Sequence, residues 1–140
     1  MPDFIPDVVL DTHVWLWWVT HQRLAGEAIQ LIEAAAAAGR VHVPAISVWE
    51  VALLVAKGRI TLTTPLREWT QRALDLPGFA LAPLLPEVAI ESCMLPGLSH
   101  GDPADRMIVA TARRLDATLV TRDERLIAYA LSGHVMVMPA

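Results

Sequence analysis

Short apolar runs alternate along this chain with longer stretches in which apolar residues return every three or four positions. Val8 to Leu10 is wholly apolar between two acids, Asp7 and Asp11, which suits a strand buried on both faces. His13 to Val19 continues it with too many apolar residues to alternate, and predicts a helix. Leu24 to Gly39 is a second helix: Ala28, Leu31, Ile32 and Ala35 share one stripe, the run Ala34 to Ala38 is strong helix former, and Gly39 is the stop. Val41 to Pro44 then predicts a strand. Ile46 to Lys57 predicts a helix ending at Gly58, and Pro65 to Leu76 another ending near Pro77 and Gly78. Phe79 to Leu84 predicts a strand, Glu87 to Leu95 a short helix and Asp102 to Asp116 a longer one. Thr118 to Thr121 has the composition of a buried strand, and the segments Glu124 to Leu131 and Val135 to Met138 finish the chain.

Strands separated by helices in this order predict the α/β class: a central parallel sheet of about five short strands, covered by helices on both faces. In open sheets of that kind ligands bind beyond the carboxyl ends of the strands. No linker, repeat or charge block divides the sequence, so residues 1–140 are expected to form one domain with one core.

Composition changes this picture in three ways. Hydrophobic residues make up 54% of the chain, above the roughly 45 to 50% of ordinary soluble domains, and the surplus suits a partner surface. Cys93 is the only cysteine, so no internal disulfide can form, and a reducing compartment, the cytoplasm, is the simpler expectation. The run Val14 to Val19 is far short of the roughly 20 residues that cross a bilayer, and no membrane association is expected. The formal net charge of −4 argues on its face against a nucleic-acid partner. If Asp11, Glu50, Asp102, Asp105 and Asp123 share one site, however, setting those five charges aside leaves the remainder at +1.

The acids themselves sit at unusual places. Asp11 and Asp123 each follow an apolar strand, and each could cap the helix that comes next. Glu50 is the only formally charged residue between Arg40 and Lys57, in a helix apolar nearly all round, sharing a face with Trp49, Leu53 and Leu54. A buried carboxylate there needs a hydrogen-bonded partner or a cation. Asp102, Pro103 and Asp105 read as a helix start, with Asp102 as cap, Pro103 at the first position and Asp105 favouring the positive end of the dipole. Asp105 also falls in register with Ile108, Val109 and Ala112, so it points toward the sheet, while Arg106, Arg113 and Arg114 lie on another face. Capping accounts for each acid alone. It does not account for all of them arriving near one edge of a parallel sheet, which a single divalent-ion site does.

Four blocks of sequence carry a family likeness. Val9-Leu10-Asp11-Thr12-His13-Val14-Trp15, Ser47-Val48-Trp49-Glu50-Val51, His100 to Arg106 with Ala110-Thr111-Ala112, and Val120-Thr121-Arg122-Asp123 follow one another within a match from about Val8 to Met138. Together they resemble the PIN-domain nucleases, and among these the VapC-type toxins of bacterial toxin–antitoxin pairs. The resemblance implies a PIN-like fold and hydrolysis of RNA phosphodiesters with Mg2+ or Mn2+. It makes Asp11, Glu50, Asp105 and Asp123 the acidic quartet, both catalytic and metal-holding, and Thr121 the small hydroxyl residue beside the last acid. Asp102, from the His-x-Asp-Pro-x-Asp-Arg form of its block, is an outer ligand, a helix cap, or both. Asp11 and Asp105 are the first choices as direct ligands, Asp123 would hold a second ion or a bound water, and Glu50 would orient or deprotonate the attacking water.

The same resemblance implies a homodimer and a cognate antitoxin, whose amphipathic segment would cover apolar surface near the first helices and send a basic side chain into the acidic pocket. A PIN-like nuclease of RNA maturation or decay, and a binding module without catalysis, are the alternatives; the presence of all four acids disfavours the second.

Other residues are weighed beside the quartet. His13, in an apolar segment beside Trp15, reads more readily as a hydrogen-bonded structural histidine than as a ligand, and His100 could contact phosphate. Arg106, Arg122 and Arg125 are near enough in sequence to the acids to reach phosphate oxygens, although solvated arginine is the simpler reading of each. Trp15, Trp17 and Trp18 cannot all face one core from a single helix. Trp15 and Trp49 are expected in the core, and Trp17 or Trp18 to stack a base or accept a partner helix.

Overall fold

The structure, a computed structural model, describes residues 4–98 and 101–140. Among these residues the chain runs β1 (Val8–Leu10), α1 (Thr12–Val19), α2 (Gly26–Ala37), β2 (Val41–Pro44), α3 (Ala45–Ala56), α4 (Leu66–Leu74), β3 (Phe79–Ala82), α5 (Pro86–Ser92), α6 (Pro103–Arg114), β4 (Thr118–Thr121), α7 (Glu124–Tyr129), a 3-10 turn at Ala130–Ser132, and β5 (Met136–Pro139). The strands form one sheet in the order β3-β2-β1-β4-β5, and every adjacent pair is parallel. This is the predicted α/β architecture.

Successive side chains of a strand point to opposite faces, and that alternation divides the interior in two. Val8 and Leu10 of β1 pack with Val14, Trp15, Ile32 and Trp69, from α1, α2 and α4. Val9 points the other way, with Leu119 of β4, into a layer built from Val88, Ile108, Val109 and Leu126, from α5, α6 and α7. Both faces are therefore covered, which is why the central strand carries no polar residue. The edge strand β3 stops at Ala82 and not at Leu84, because Pro83 has no N–H with which to continue a ladder. At the other end of that strand Gly78 has φ +83°, and a Cβ there would lie 1.9 Å from the carbonyl oxygen of Ala36. Only glycine lets the start of β3 pass this close to α2.

Helix ends fall within three residues of the expected ones, and the expectation that places Trp49 in the core is overturned. Trp49 is 55% exposed. The buried stripe of α3 is Ser47 and Val51. Trp49 lies two residues from each, about 200° round the helix at roughly 100° per residue, and so points outward. Trp15, by contrast, is fully buried, donates its indole N–H to the Ala73 carbonyl at 3.2 Å, and meets Trp69 edge-on at 5.1 Å between centroids. No described helix is long and apolar enough to cross a membrane.

Candidate active site

The strand order reverses between β1 and β4: the chain works outward from β1 through β2 to β3 on one side, and through β4 to β5 on the other. A crevice opens at such a reversal, beyond the carboxyl ends of the two strands. Asp11 is the residue after β1, and Thr121 ends β4 with Arg122 and Asp123 following. The Asp11 N–H donates to the Val120 carbonyl at 3.0 Å, which locks the two strand ends together. A cavity of about 500 Å3 lies there, lined by Asp11, Glu50, Asp102, Asp105 and Asp123 and, among other residues, by Arg122. The structure thus brings the predicted quartet and Asp102 to one place, from five separate elements and junctions.

Asp11 is the most deeply set of them, only 8% exposed. It caps α1, accepting the Thr12 N–H on Oδ1 at 2.8 Å, and its Oδ2 accepts the Thr121 hydroxyl at 2.6 Å. The same Thr121 oxygen accepts the Asp123 N–H at 3.0 Å, so one fully buried hydroxyl ties two acids of the site together. Asp123 in turn caps α7 through the N–H groups of Arg125 and Leu126. Asp102 caps α6 through the Asp105 N–H at 3.2 Å and stands exposed at the rim. For Asp11, Asp102 and Asp123 the capping account and the site account hold together.

Glu50 enters from α3, half-buried. Thr12 Oγ1 lies 2.5 Å from its Oε1 and 2.9 Å from Ser47 Oγ. A hydroxyl has one proton, so with Glu50 ionised Thr12 donates to the carboxylate and accepts from Ser47. Thr12 and Ser47 are among the least exposed polar side chains of the molecule, and sequence reasoning missed both. The available signal was a hydroxyl residue directly after Asp11 and another one helical turn before Glu50.

The electrostatics register the crowding. Burial pushes the Asp11 carboxyl above its ordinary range, against the Thr121 hydroxyl, the Thr12 N–H and the charge of His13, while Asp123 adds to the rise. Burial also raises Glu50, partly offset by Thr12, and the charges of Asp105, Asp11 and Asp102 raise it further. Like charges that perturb one another in this way hold one field in common.

Hard oxygen donors are the chemistry that Mg2+ and Mn2+ take. Among the described residues no three His, Cys, Asp or Glu side chains form a ready shell of ligands. A small octahedral ion bound by one or two carboxylates, with water completing its shell, needs no such triple. The donor set therefore fits that class of ion.

The remaining candidates separate. His13 is not an interior histidine: it is exposed, lines the cavity, and stands tilted against Trp17 at 5.6 Å. His100 lies outside the described residues. Arg106 points away from the phosphate role considered for it, donating to the carbonyls of Ser92 at 2.7 Å and Leu98 at 2.9 Å, where it pins the segment before α6. Arg125 lines the cavity with its Nε 3.8 Å from Asp123. Arg122 lines it too, its guanidinium 4.3 Å from the centroid of the Trp17 ring. Trp18 faces a separate groove with Leu24 and Ile29.

Comparison with known proteins places this geometry in context. The PIN domain family model matches residues 8–131. Ribonuclease VapC22 of Mycobacterium tuberculosis is 41% identical over 120 residues, covering 85% of this chain and 88% of that protein. VapBC2 from Rickettsia felis, solved bound to a DNA fragment from its promoter, aligns with a TM-score of 0.67 and 16% identity over 94% of this chain and 97% of that one. FitAcB from Neisseria gonorrhoeae aligns with a TM-score of 0.62 and 23% identity over 94% and 96%. At those identities the two solved structures speak for the fold.

Proposed function

The chain belongs to the PIN-domain family and is of the VapC type, and from that premise we propose that it is a Mg2+- or Mn2+-dependent endoribonuclease, the toxin of a toxin–antitoxin pair. The observation that carries this reading is the convergence of Asp11, Glu50, Asp105 and Asp123 on one cavity at the strand reversal. Helix capping explains Asp11 and Asp123 one by one, and leaves unexplained why Glu50 and Asp105 share their cavity.

Asp11 and Asp105 would hold the ion, with Asp123 beside them. Bound there, the ion supplies Lewis acidity and countercharge for a phosphodiester. The protein's own part is positioning and proton handling. Thr121 and the Thr12 N–H fix both oxygens of Asp11, so the carboxylate presents one orientation. Glu50 accepts the proton of the attacking water, since its raised pKa makes it a better base than a solvated carboxylate. Thr12 holds the Glu50 carboxylate in place through the Ser47 relay. Asp123 is kept against the cavity by its capping bonds to α7.

The partner reading follows from the same premise. A cognate antitoxin would neutralise the protein by covering apolar surface. The outward face of α3, with Trp49, and the groove at Trp18 offer that surface here. The working form would be a cytoplasmic homodimer.

The deciding experiment maps cleavage of total cellular RNA by the purified protein with Mg2+, with Mn2+ and with chelator. Cleavage should require the ion and disappear in Asp11→Asn and Asp105→Asn while their circular dichroism stays native. Cleavage that survives chelation, or persists in a folded Asp11→Asn protein, refutes the assignment.

A further inference from the structure

The carboxylates that would bind an ion also repel the polyanion that must be cleaved, so a cation is needed on the cavity wall to bring RNA in. Arg106 is tied to the carbonyls of Ser92 and Leu98, away from the cavity, and Arg125 leans on Asp123. Arg122 is held differently. Its Nε–H donates to the Ala140 carbonyl at 3.1 Å, its Nη2 to the Arg23 carbonyl at 2.9 Å, and its plane lies over Trp17 at 4.3 Å. A surface arginine ordinarily samples many rotamers. This one is fixed at three points, two main-chain oxygens and an indole ring, while the residue stays exposed and lines the cavity. A guanidinium has five N–H donors, and the two main-chain oxygens engage two of them, so donors are left for a further oxygen acceptor at the cavity wall. Immobilised in advance, such a group binds a phosphate without paying the usual ordering entropy.

We propose that Arg122, laid on the Trp17 ring, is the substrate-binding residue that grips a backbone phosphate of the RNA next to the acidic cluster. This rests on the ribonuclease reading above. Position supports it: Arg122 lies between Thr121, which orients Asp11, and Asp123, so the β4 end that sets the acids also sets the cation. The competing role is purely structural, a staple joining Ala140 and Arg23 to α1, and the test must tell the two apart.

The test uses the full chain carrying Asp105→Asn, which stops turnover, in Mg2+ buffer, with a fluorescein-labelled single-stranded RNA 12-mer of mixed sequence. Affinity is read by anisotropy over a series of NaCl concentrations, and melting temperature is followed in parallel. Adding Arg122→Ala or Arg122→Gln should weaken binding about tenfold. Each should also lower the slope of log Kd against log salt by about 0.7, the value for one phosphate contact on a single strand. Glutamine removes the charge and keeps an NH2 donor on a shorter side chain, and the parallel melting temperature reports how much of the staple goes with it. An unchanged salt slope in folded Arg122→Gln overturns the proposal while leaving the ribonuclease reading standing. Absence of any RNA binding by the Asp105→Asn parent at low salt overturns both.

Discussion

Glu50→Gln is expected to stabilise the metal-free protein while disabling it. The side chain keeps its shape, and the Gln oxygen can still accept the Thr12 hydroxyl that Glu50 accepts at 2.5 Å. What is lost is a charge that burial and the neighbouring Asp105, Asp11 and Asp102 all disfavour. Because burial and the neighbouring acids lift the folded-state pKa of Glu50 above the ordinary value of 4.5, the native state favours the protonated form more than the unfolded chain does. Its stabilising contribution is complete below 4.5 and is lost as pH rises through the raised folded value; above that, ionisation is a standing cost. Each unit of elevation corresponds to about 1.4 kcal/mol, and because Glu50 is half-exposed solvent screening discounts that cost. A gain on the order of 1 kcal/mol in a domain of this size moves Tm by about 3 to 4 °C.

Thermal melts of wild type and Glu50→Gln in chelator, from pH 4 to pH 8, test this. The curves should coincide at the acidic end and separate upward from it, with the variant the more stable at pH 8. Mg2+ should then stabilise wild type more than the variant and narrow the gap. RNA cleavage by the variant should fall by about 10²- to 10⁴-fold, the usual worth of a positioned base. A variant less stable than wild type at pH 8 without metal, or a gap that does not change with pH, would show that Glu50 is a structural ion-pair partner and not a strained member of a shared anionic field.

Trp15→Ala should remove about 3 to 5 kcal/mol by leaving a cavity in the first core layer and orphaning the Ala73 carbonyl that the indole reaches at 3.2 Å; equilibrium denaturation reads the loss directly. Gly78→Ala should destabilise by at least about 2 kcal/mol, since its Cβ would meet Ala36 O at 1.9 Å, whereas Gly58→Ala, with open space around it and φ +67°, should cost only about 1 kcal/mol of backbone strain. Mg2+ at a hundred times its Kd should raise stability by about 2.7 kcal/mol, visible as a rise in Tm that chelator and Asp105→Asn both abolish; no shift at millimolar Mg2+ would count against the ion site.

The strands and the acids were legible because each leaves a local signature. Val8 to Leu10 can be apolar throughout only if both faces are covered, and Glu50 is conspicuous because its helix offers it no charge of opposite sign nearby in sequence. Contacts between segments are what the linear pattern withholds. Trp49 was expected inside because α3 is apolar all round, yet its buried stripe is narrow and the tryptophan sits on the far side. His13 was read first as a hydrogen-bonded structural histidine because its segment is apolar, and α1 turns it outward to line the cavity. Thr12 and Ser47 went unremarked because a threonine and a serine are ordinary at helix starts; only the folded arrangement, with 2.9 Å between their hydroxyls, makes them the support of Glu50.

One residue both caps a helix and lines the cavity three times over, and this explains how so many acids can share a cavity. Asp11, Asp102 and Asp123 each receive backbone N–H bonds from the first turn of α1, α6 and α7 respectively. The positive end of each helix dipole therefore meets a carboxylate of the cluster, a contribution of about 0.3 to 1 kcal/mol apiece. Glu50 sits in mid-helix and receives no such help; it has only the Thr12 hydroxyl. The cluster is thus uneven by construction, with Asp11, Asp102 and Asp123 tethered by backbone N–H groups and Glu50 held by a side-chain relay. That unevenness suits a division of labour in which Asp11, fixed by Thr121 and the Thr12 N–H, would present one carboxylate orientation to a cation, and Glu50, raised in pKa by burial, would take up a proton.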